Sequence, residues 1–212
     1  MVSRCGRRVI FFDLDGTLHR EDMFGSFILW LLWRQPLNFF LLIFIFPILG
    51  CIFLVQGYSS RWLTSFLLWS ITFGHSESTL AKREEEFANW FRKYLTPFPK
   101  VQAHLMQHIS SVDTEVWLIT GSPRRLVEIV YGNSYFLPRV KLLASQMVRF
   151  CGGRALLVRC VGYEKVLQLE LILGKPLNIN IGYSDSKMDD PLLFFCRNAF
   201  RISSSGELTK IK

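Results

Sequence analysis

The sequence lacks the residue patterns of several common kinds of protein. Its five cysteines are an odd number without CxxC spacing, so they predict neither a disulfide framework nor a zinc site. No histidine lies in an HExxH motif, and Ser122 lacks the GxSxG context of a serine hydrolase. No small-residue cleavage site closes an apolar region near the N-terminus, so we expect no cleaved signal peptide. These absences argue against thiol, serine and HExxH-type zinc chemistry.

The chain also lacks a nucleic-acid-binding pattern, although it carries a formal charge of +8 over 212 residues. Its basic residues are scattered and are not interleaved with aromatic residues in a binding motif. Several flank a long apolar region in the first half of the chain, with Arg4, Arg7, Arg8 and Arg20 before it and Lys82, Arg83, Arg92 and Lys93 after it. The positive-inside bias places both flanks on the cytoplasmic side. We therefore expect an anionic phospholipid surface as the partner, and no nucleic acid.

Three short apolar runs, each ending in polar residues, predict buried parallel strands. They cover residues 9–12, 116–119 and 178–183, and most are followed by a helical pattern. The expected fold is α/β, a doubly wound and mostly parallel sheet with its site beyond the carboxyl ends of the strands. Between residues 147 and 160, two strand-like runs flank Gly152-Gly153 and predict a β-hairpin with that pair in its turn. A charged amphipathic helix is expected over residues 77–94, before Pro97.

Two aspartates follow the first predicted strand. A carboxylate held at the end of a strand beside a divalent cation can attack phosphorus, and Asp13 is the candidate nucleophile. Asp15, two residues later, can protonate the leaving oxygen and then take a proton from the attacking water. Gly16 permits a sharp turn after them, and Thr17 can hydrogen-bond within it. We also predict Thr17 to be a ligand of the substrate phosphate.

Candidate phosphate ligands follow the second predicted strand and begin a later helix. Thr120 can donate from its hydroxyl and backbone, and Gly121 and Ser122 add backbone donors at the start of the next helix. Lys165 would neutralise the phosphoryl oxygens and the carboxylate of Asp13.

The last acidic cluster, in GYSDSKMDDP, completes a set of oxygen ligands suited to Mg²⁺. Asp13, Asp185 and the backbone carbonyl of Asp15 would hold the ion. Asp189 would support a metal-bound water or orient Lys165. Asp190 is adjacent, and the sequence leaves open which of the pair faces the site.

An apolar segment lies between the two acidic clusters. Residues 36–55 carry no formal charge and number about twenty, enough for one bilayer crossing. A single crossing would place Asp13 and Asp185 on opposite faces of the membrane, so the chain has to return. With the shorter apolar runs at 24–33 and 62–73, we predict a helical hairpin that enters and leaves on the cytoplasmic side, either re-entrant or as two tilted passes. The alternative is an unusually apolar core helix of a soluble protein.

In order along the chain, the sequence resembles the four motifs of the haloacid dehalogenase-like phosphatase superfamily, carried by Asp13-Leu14-Asp15-Gly16-Thr17, Thr120, Lys165, and Asp185 with Asp189. The resemblance implies Mg²⁺ as cofactor, Asp13 as nucleophile and Asp15 as acid and base. Thr120 and Lys165 would bind phosphate, and Asp185 the metal. Ser184 departs from the glycine that many relatives have there. The implied division is a catalytic core of residues 1–22 and 97–212, with residues 23–96 inserted as a helical cap.

Longer segments are similar to superfamily members that act on a phospholipid, namely FFDLDGTLHREDMFGSF, RQPLNFF, LLWSITFGHSE, WLITGSP and GYSDSKMDDPLLFFC. This similarity implies conversion of phosphatidylglycerophosphate to phosphatidylglycerol at the inner membrane of Gram-negative bacteria, with the catalytic domain on the cytoplasmic side. A diacyl substrate stays in the bilayer because each buried methylene contributes about 0.8 kcal/mol. The alternatives are another phosphomonoester, such as a lysolipid phosphate or phosphoserine, and a non-catalytic membrane-binding module.

Overall fold

The computed structural model describes residues 7–56 and 61–212. A sheet of seven strands has the order β4-β3-β2-β1-β5-β6-β7. The strands are β1 (Arg8–Phe12), β2 (Thr114–Pro123), β3 (Lys141–Phe150), β4 (Gly153–Val158), β5 (Ile179–Ser184), β6 (Cys196–Ile202) and β7 (Leu208–Lys210). The five inner strands are parallel, and the edge strands β4 and β7 are antiparallel to their neighbours. The predicted α/β class with a mostly parallel sheet is confirmed.

Helices cover both faces of this sheet. They are α1 (Met23–Arg34), α2 (Pro36–Gln56), α3 (Arg61–Thr72), α4 (Glu77–Tyr94), α5 (Pro99–Ile109), α6 (Arg124–Tyr131), α7 (Tyr163–Leu173) and α8 (Asp190–Leu193). In β1, Ile10 and Phe12 join the core shared with α1 and α3 to α6, while Phe11 joins the core shared with α7 and α8. Burial on both faces explains why β1 is a continuous apolar run rather than an alternating one.

The hairpin after β3 differs from the sequence prediction in its turn. The positive backbone φ angles fall on Cys151, at 41°, and Gly152, at 83°, not on Gly152 and Gly153. Gly153 instead begins β4, where an added Cβ would lie 2.7 Å from Trp69 Cδ1. The glycine pair therefore has two separate uses. Gly152 supplies the turn, and Gly153 permits close packing of the strand against α3.

The apolar segments form three consecutive helices, α1, α2 and α3. Within α2, which contains Pro47, large apolar side chains face outward, including Leu37, Phe44 and Leu54 at 81%, 80% and 83% exposure. Next in the chain, α3 packs against β4 and thus joins this group of helices to the sheet. The sequence of this segment has three places where a helix can bend, Pro47, Gly50 and Gly57. Of these, Gly57 lies outside the described residues. Over the described part of the chain, no helix combines the length and apolar character required to cross a bilayer.

Candidate active site

The sequence motifs meet at the carboxyl edge of the inner strands. Because β1 lies between β2 and β5, the ends of these strands are neighbours, and the backbone N–H of Asp13 donates to the carbonyl of Tyr183 at 2.9 Å. The topology therefore places Asp13 beside Asp185, although the two are far apart in the sequence.

Lys165, Asp13 and Asp189 form a buried ionic cluster at this edge. Lys165, the third residue of α7, donates from Nζ to Asp13 Oδ1 at 2.7 Å and to Asp189 Oδ2 at 2.8 Å. Ser184 donates its hydroxyl to the same oxygen of Asp189 at 2.7 Å. Asp189 thus orients Lys165, whereas Asp190 is exposed and pairs with Arg201. The choice that the sequence left open between the two aspartates is resolved by their contacts.

The charges of this cluster depend on one another. Burial opposes the positive charge of Lys165, but attraction to Asp13 and Asp189 outweighs it and raises the pKa of Lys165 above its ordinary value. Burial raises the pKa of Asp13, and Lys165 partly offsets that rise. Lys165 is therefore a permanent cation at neutral pH, and its attraction favours the ionised form of Asp13 that a nucleophile requires.

Asp15 lies between the sheet edge and the start of α1. Its Oδ1 accepts a hydrogen bond from the backbone N–H of Met23 at 2.9 Å. Its Oδ2 accepts from the hydroxyls of Thr120 and Ser122 at 3.1 and 2.7 Å. These donors come from the second motif and from the start of α1, and together they orient the carboxylate. A carboxylate oriented in this way suits the acid and base role predicted for Asp15.

Thr17 connects the first and last acidic motifs. Its hydroxyl donates to Asp185 Oδ1 at 3.2 Å and accepts from the backbone N–H of Asp185 at 3.0 Å. Sequence reasoning placed Thr17 among the phosphate ligands, but in the structure its hydroxyl is bonded to Asp185. Gly16 has a φ of +71°, and an added Cβ would collide with the Asp185 carboxylate. Glycine is therefore required here both for the turn and for the close approach of Asp185.

The donor set at this edge fits Mg²⁺, which binds one or two carboxylates and fills its other positions with water and substrate phosphate. In the described residues, no group of three or more His, Cys, Asp or Glu side chains is arranged to hold a metal ion by itself. The close approach of Asp185 to the Gly16 turn brings a carboxylate to the loop that carries Asp13 and the carbonyl of Asp15. Asp13, Asp15 and Asp185 would hold the ion, while Asp189 is engaged with Lys165.

The segment after Ile119 differs from the predicted strand-to-helix turn. β2 continues to Pro123, and α6 begins only at Arg124, so Gly121 and Ser122 precede the helix instead of forming its first turn. The backbone N–H of Ser122 donates to Thr120 Oγ1 at 3.0 Å. Its hydroxyl contacts Asp15, a role that sequence reasoning missed because the pattern pointed only to backbone donors.

His19 is a second residue that sequence reasoning missed. It is fully buried, and its ring nitrogens lie 3.7 Å from Asp15 Oδ1 and from Glu21 Oε2. Within the part of the chain that the structure describes, neither nitrogen has a hydrogen-bond partner. Burial lowers the pKa of His19, so the ring is neutral at neutral pH. Its position four residues after Asp15 was the available signal, but no metal-ligand spacing marked it.

A cavity of about 750 Å³ opens over these residues. Asp13, Asp15, Lys165 and Asp185 line its catalytic part. Arg20 and Arg159 also line it, together with apolar side chains of the first and third helices, namely Phe24, Ile28, Leu29, Leu63 and Leu67. The site therefore has a charged part and an apolar part within one continuous space.

Replacement of Ser122 by Ala is expected to lower kcat about tenfold, because Asp15 loses one donor that orients it and a hydrogen bond to a charged group contributes about 1.5 kcal/mol or more. Measurement of kcat and KM separates this effect from substrate binding. Ser110→Ala, on an exposed residue at the end of α5, is the matched control and should leave both constants unchanged. A change in KM alone would show that Ser122 serves substrate binding instead.

Comparison with known proteins identifies a matching family and solved structures of similar fold. Residues 10–193 match the model of a family described as haloacid dehalogenase-like hydrolase. A protein of unknown function from Bordetella pertussis Tohama I superposes with a TM-score of 0.63 and 22% identity, covering 89% of this chain and 86% of that one. A phospho-aspartyl intermediate analogue of phosphoserine phosphatase superposes with a TM-score of 0.57 and 12% identity, covering 92% of this chain and 85% of that one. A phosphoserine phosphohydrolase-like protein from Francisella tularensis subsp. tularensis SCHU S4 superposes with a TM-score of 0.54 and 16% identity, covering 91% of this chain and 85% of that one.

Proposed function

The chain belongs to the haloacid dehalogenase-like hydrolase family, and we therefore propose that it is a Mg²⁺-dependent phosphatase that converts phosphatidylglycerophosphate to phosphatidylglycerol. The proposal rests on the Asp13–Lys165–Asp189 cluster, which lines a cavity that apolar side chains of α1 and α3 also line. The longer sequence segments resemble phosphatidylglycerophosphatase C, which supports the choice of substrate.

The proposed reaction has two displacements at phosphorus. Asp13 attacks the phosphoryl group and forms an aspartyl-phosphate, while Asp15 donates a proton to the departing glycerol oxygen. Asp15 then accepts a proton from water as the water oxygen attacks phosphorus, which releases inorganic phosphate and regenerates Asp13. Lys165 holds positive charge beside the phosphoryl oxygens throughout. When bound, Mg²⁺ supplies further charge neutralisation for the transferred group.

The lipid part of the proposal is supported by the apolar surface around the cavity. Leu29, which lines the cavity, is 60% exposed. It lies in α1, and the outward-facing apolar side chains of α2 follow directly in the chain. Exposed apolar patches of this kind are typical of contact with membranes or other apolar partners. We propose that this surface lies on the cytoplasmic face of the bacterial inner membrane and presents the lipid headgroup to Asp13.

Phosphate release from lipid and soluble substrates tests the proposed function. Purified protein would be assayed with phosphatidylglycerophosphate and lysophosphatidic acid in mixed micelles and with phosphoserine in solution. We expect kcat/KM for phosphatidylglycerophosphate to exceed that for phosphoserine at least tenfold, because only the lipid uses the apolar part of the cavity. EDTA should remove activity, and added Mg²⁺ should restore it. A preference for phosphoserine, or equal activity in EDTA, would overturn the corresponding part of the proposal.

Membrane contact is tested separately by flotation with vesicles of phosphatidylethanolamine and phosphatidylglycerol. The double variant Leu37→Glu and Phe44→Glu is expected to lose at least tenfold in vesicle affinity, since each large apolar side chain contributes about 1.5–3 kcal/mol when fully buried. Val112→Glu is the control, because Val112 is 86% exposed in the connection between α5 and β2. Unchanged flotation of the double variant would contradict α2 as the contact surface.

A further inference from the structure

The cavity contains two cationic side chains that the proposed reaction does not use. Among the residues that the structure describes, the cations that line it are Arg20, Arg159 and Lys165. Lys165 is engaged by Asp13 and Asp189. Among the described residues that line the cavity, Arg20 and Arg159 are therefore the cations that do not belong to the Asp13–Lys165–Asp189 cluster. Neither arginine takes part in the proposed hydrolysis of the phosphomonoester.

Both arginines lie where the catalytic core meets the apolar helices. Arg20 is in the segment between the Asp13 loop and α1, and its backbone N–H donates to the carbonyl of Thr96 at 3.0 Å. Arg159 is in the connection between β4 and α7. It interacts electrostatically with Asp22, whose carboxylate caps α1 by accepting from the backbone N–H of Gly25 at 2.9 Å. Arg159 thus lies near the first turn of α1.

The first turns of α1 also begin the apolar part of the lining. Phe24 directly follows the start of α1 at Met23, and Ile28 comes one turn later. From α3, Leu63 and Leu67 line the same cavity at a spacing of one helical turn. The two arginines therefore line the same cavity as the catalytic carboxylates and the apolar side chains of α1 and α3.

We propose that Arg20 and Arg159 bind a second anionic group of the substrate, one that is not transferred, and that they select lipids in which a short linker joins a phosphomonoester to a phosphodiester. This inference rests on the proposed function and adds the residues that set its specificity. Guanidinium groups match phosphate oxygens in geometry and remain charged at all relevant pH values. The acyl chains of such a lipid would then continue along the apolar side chains of α1 and α3.

The contribution of a second anionic group can be measured with three substrates. Phosphatidylglycerophosphate has both anionic groups and acyl chains, phosphatidic acid has acyl chains but a single phosphate, and glycerol 3-phosphate has neither acyl chains nor a second phosphate. The variants are Arg20→Gln, Arg159→Gln and the double variant. Arg197→Gln is the matched control, because Arg197 is exposed near the start of β6, at the opposite edge of the sheet from the site.

Each single variant is expected to lower the ratio of kcat/KM for phosphatidylglycerophosphate to that for phosphatidic acid about tenfold, mainly through KM, as loss of a charged hydrogen bond predicts. Arg197→Gln should leave the ratio at the wild-type value. Arg20 is exposed, so its variant remains informative even if Arg159→Gln impairs folding.

The results on these substrates separate an error in the proposed function from an error in the role of the arginines. If wild type hydrolyses glycerol 3-phosphate but not phosphatidylglycerophosphate, the proposed function is wrong. If wild type prefers phosphatidylglycerophosphate and Arg20→Gln preserves the substrate ratio, the function stands and the arginine assignment is wrong. Equal losses on all three substrates would place the arginines on the transferred phosphate and would also overturn the assignment.

Discussion

Replacement of Asp13 by Asn is expected to lower kcat by at least about 10³-fold, because an amide cannot form the aspartyl-phosphate that divides the reaction into two steps. The side chain keeps its size, and Lys165 keeps Asp189 as a partner at 2.8 Å. The fold should therefore persist, with a circular dichroism spectrum and thermal midpoint close to those of wild type. Activity would be measured as phosphate release under saturating substrate.

Asp190→Asn is the matched control for this variant. Asp190 is an exposed aspartate next to Asp189 and pairs with Arg201 at the surface. It should retain wild-type kcat. Asp13→Asn with more than a tenth of wild-type activity would show that another group attacks phosphorus, and a loss in Asp190→Asn of the same size would show that any change of charge near β5 is damaging.

Replacement of Lys165 by Met is expected to remove both activity and stability. Asp13 and Asp189 would remain buried without their shared cation, and breaking a buried ion pair in this way typically costs about 3–5 kcal/mol of unfolding free energy. The negative charge that develops on the phosphoryl group in the transition state would also lose the stabilising charge of Lys165, which lowers kcat by at least about 10²-fold. Urea unfolding and steady-state kinetics measure the two losses separately.

The stability loss of this variant should depend on pH in a defined direction. In wild type the raised pKa of Lys165 means that its contribution is complete below its ordinary pKa and is lost only at strongly alkaline pH. In Lys165→Met the carboxylate of Asp13, whose pKa burial raises, loses its cation, so protonation of Asp13 relieves the buried charge. The difference in unfolding free energy from wild type should therefore narrow as the pH falls towards about 4.

Lys187→Met is the control, since Lys187 is exposed and precedes the same aspartate cluster. It should change the free energy of unfolding by no more than about 0.5 kcal/mol and kcat by no more than about twofold. A Lys165→Met protein as stable as wild type at neutral pH would contradict the buried cluster as the reason for the position of Lys165.

The sheet and the meeting of its motifs were predictable from sequence because β1 and β5 are short apolar runs buried on both faces and followed at once by acidic residues. Parallel strands bring such residues to one edge whatever their separation in the chain. The α4 helix was predictable to its end residues. Ser76 caps its start, and apolar residues at helical spacing, including the buried Leu80 and Phe87, lie on one face while charged residues lie on the other.

The remaining features depend on contacts that no local pattern contains. The hairpin turn is centred on Cys151 and Gly152 because Gly153 is needed against Trp69, which is distant in the sequence. The contact of the Ser122 hydroxyl with Asp15 likewise depends on how the end of β2 approaches the turn after β1. Sequence spacing could identify the backbone donors at the end of β2, but it could not give the direction of the serine side chain.

The steric course at phosphorus distinguishes an aspartyl-phosphate intermediate from direct attack by water on the ester. A substrate with a chiral thiophosphate ester would be hydrolysed in isotope-labelled water, and the configuration of the released thiophosphate determined. Transfer to Asp13 and then to water comprises two in-line displacements, each of which inverts the configuration at phosphorus, so we expect overall retention. Inversion would show that water attacks the ester directly and would contradict Asp13 as the nucleophile.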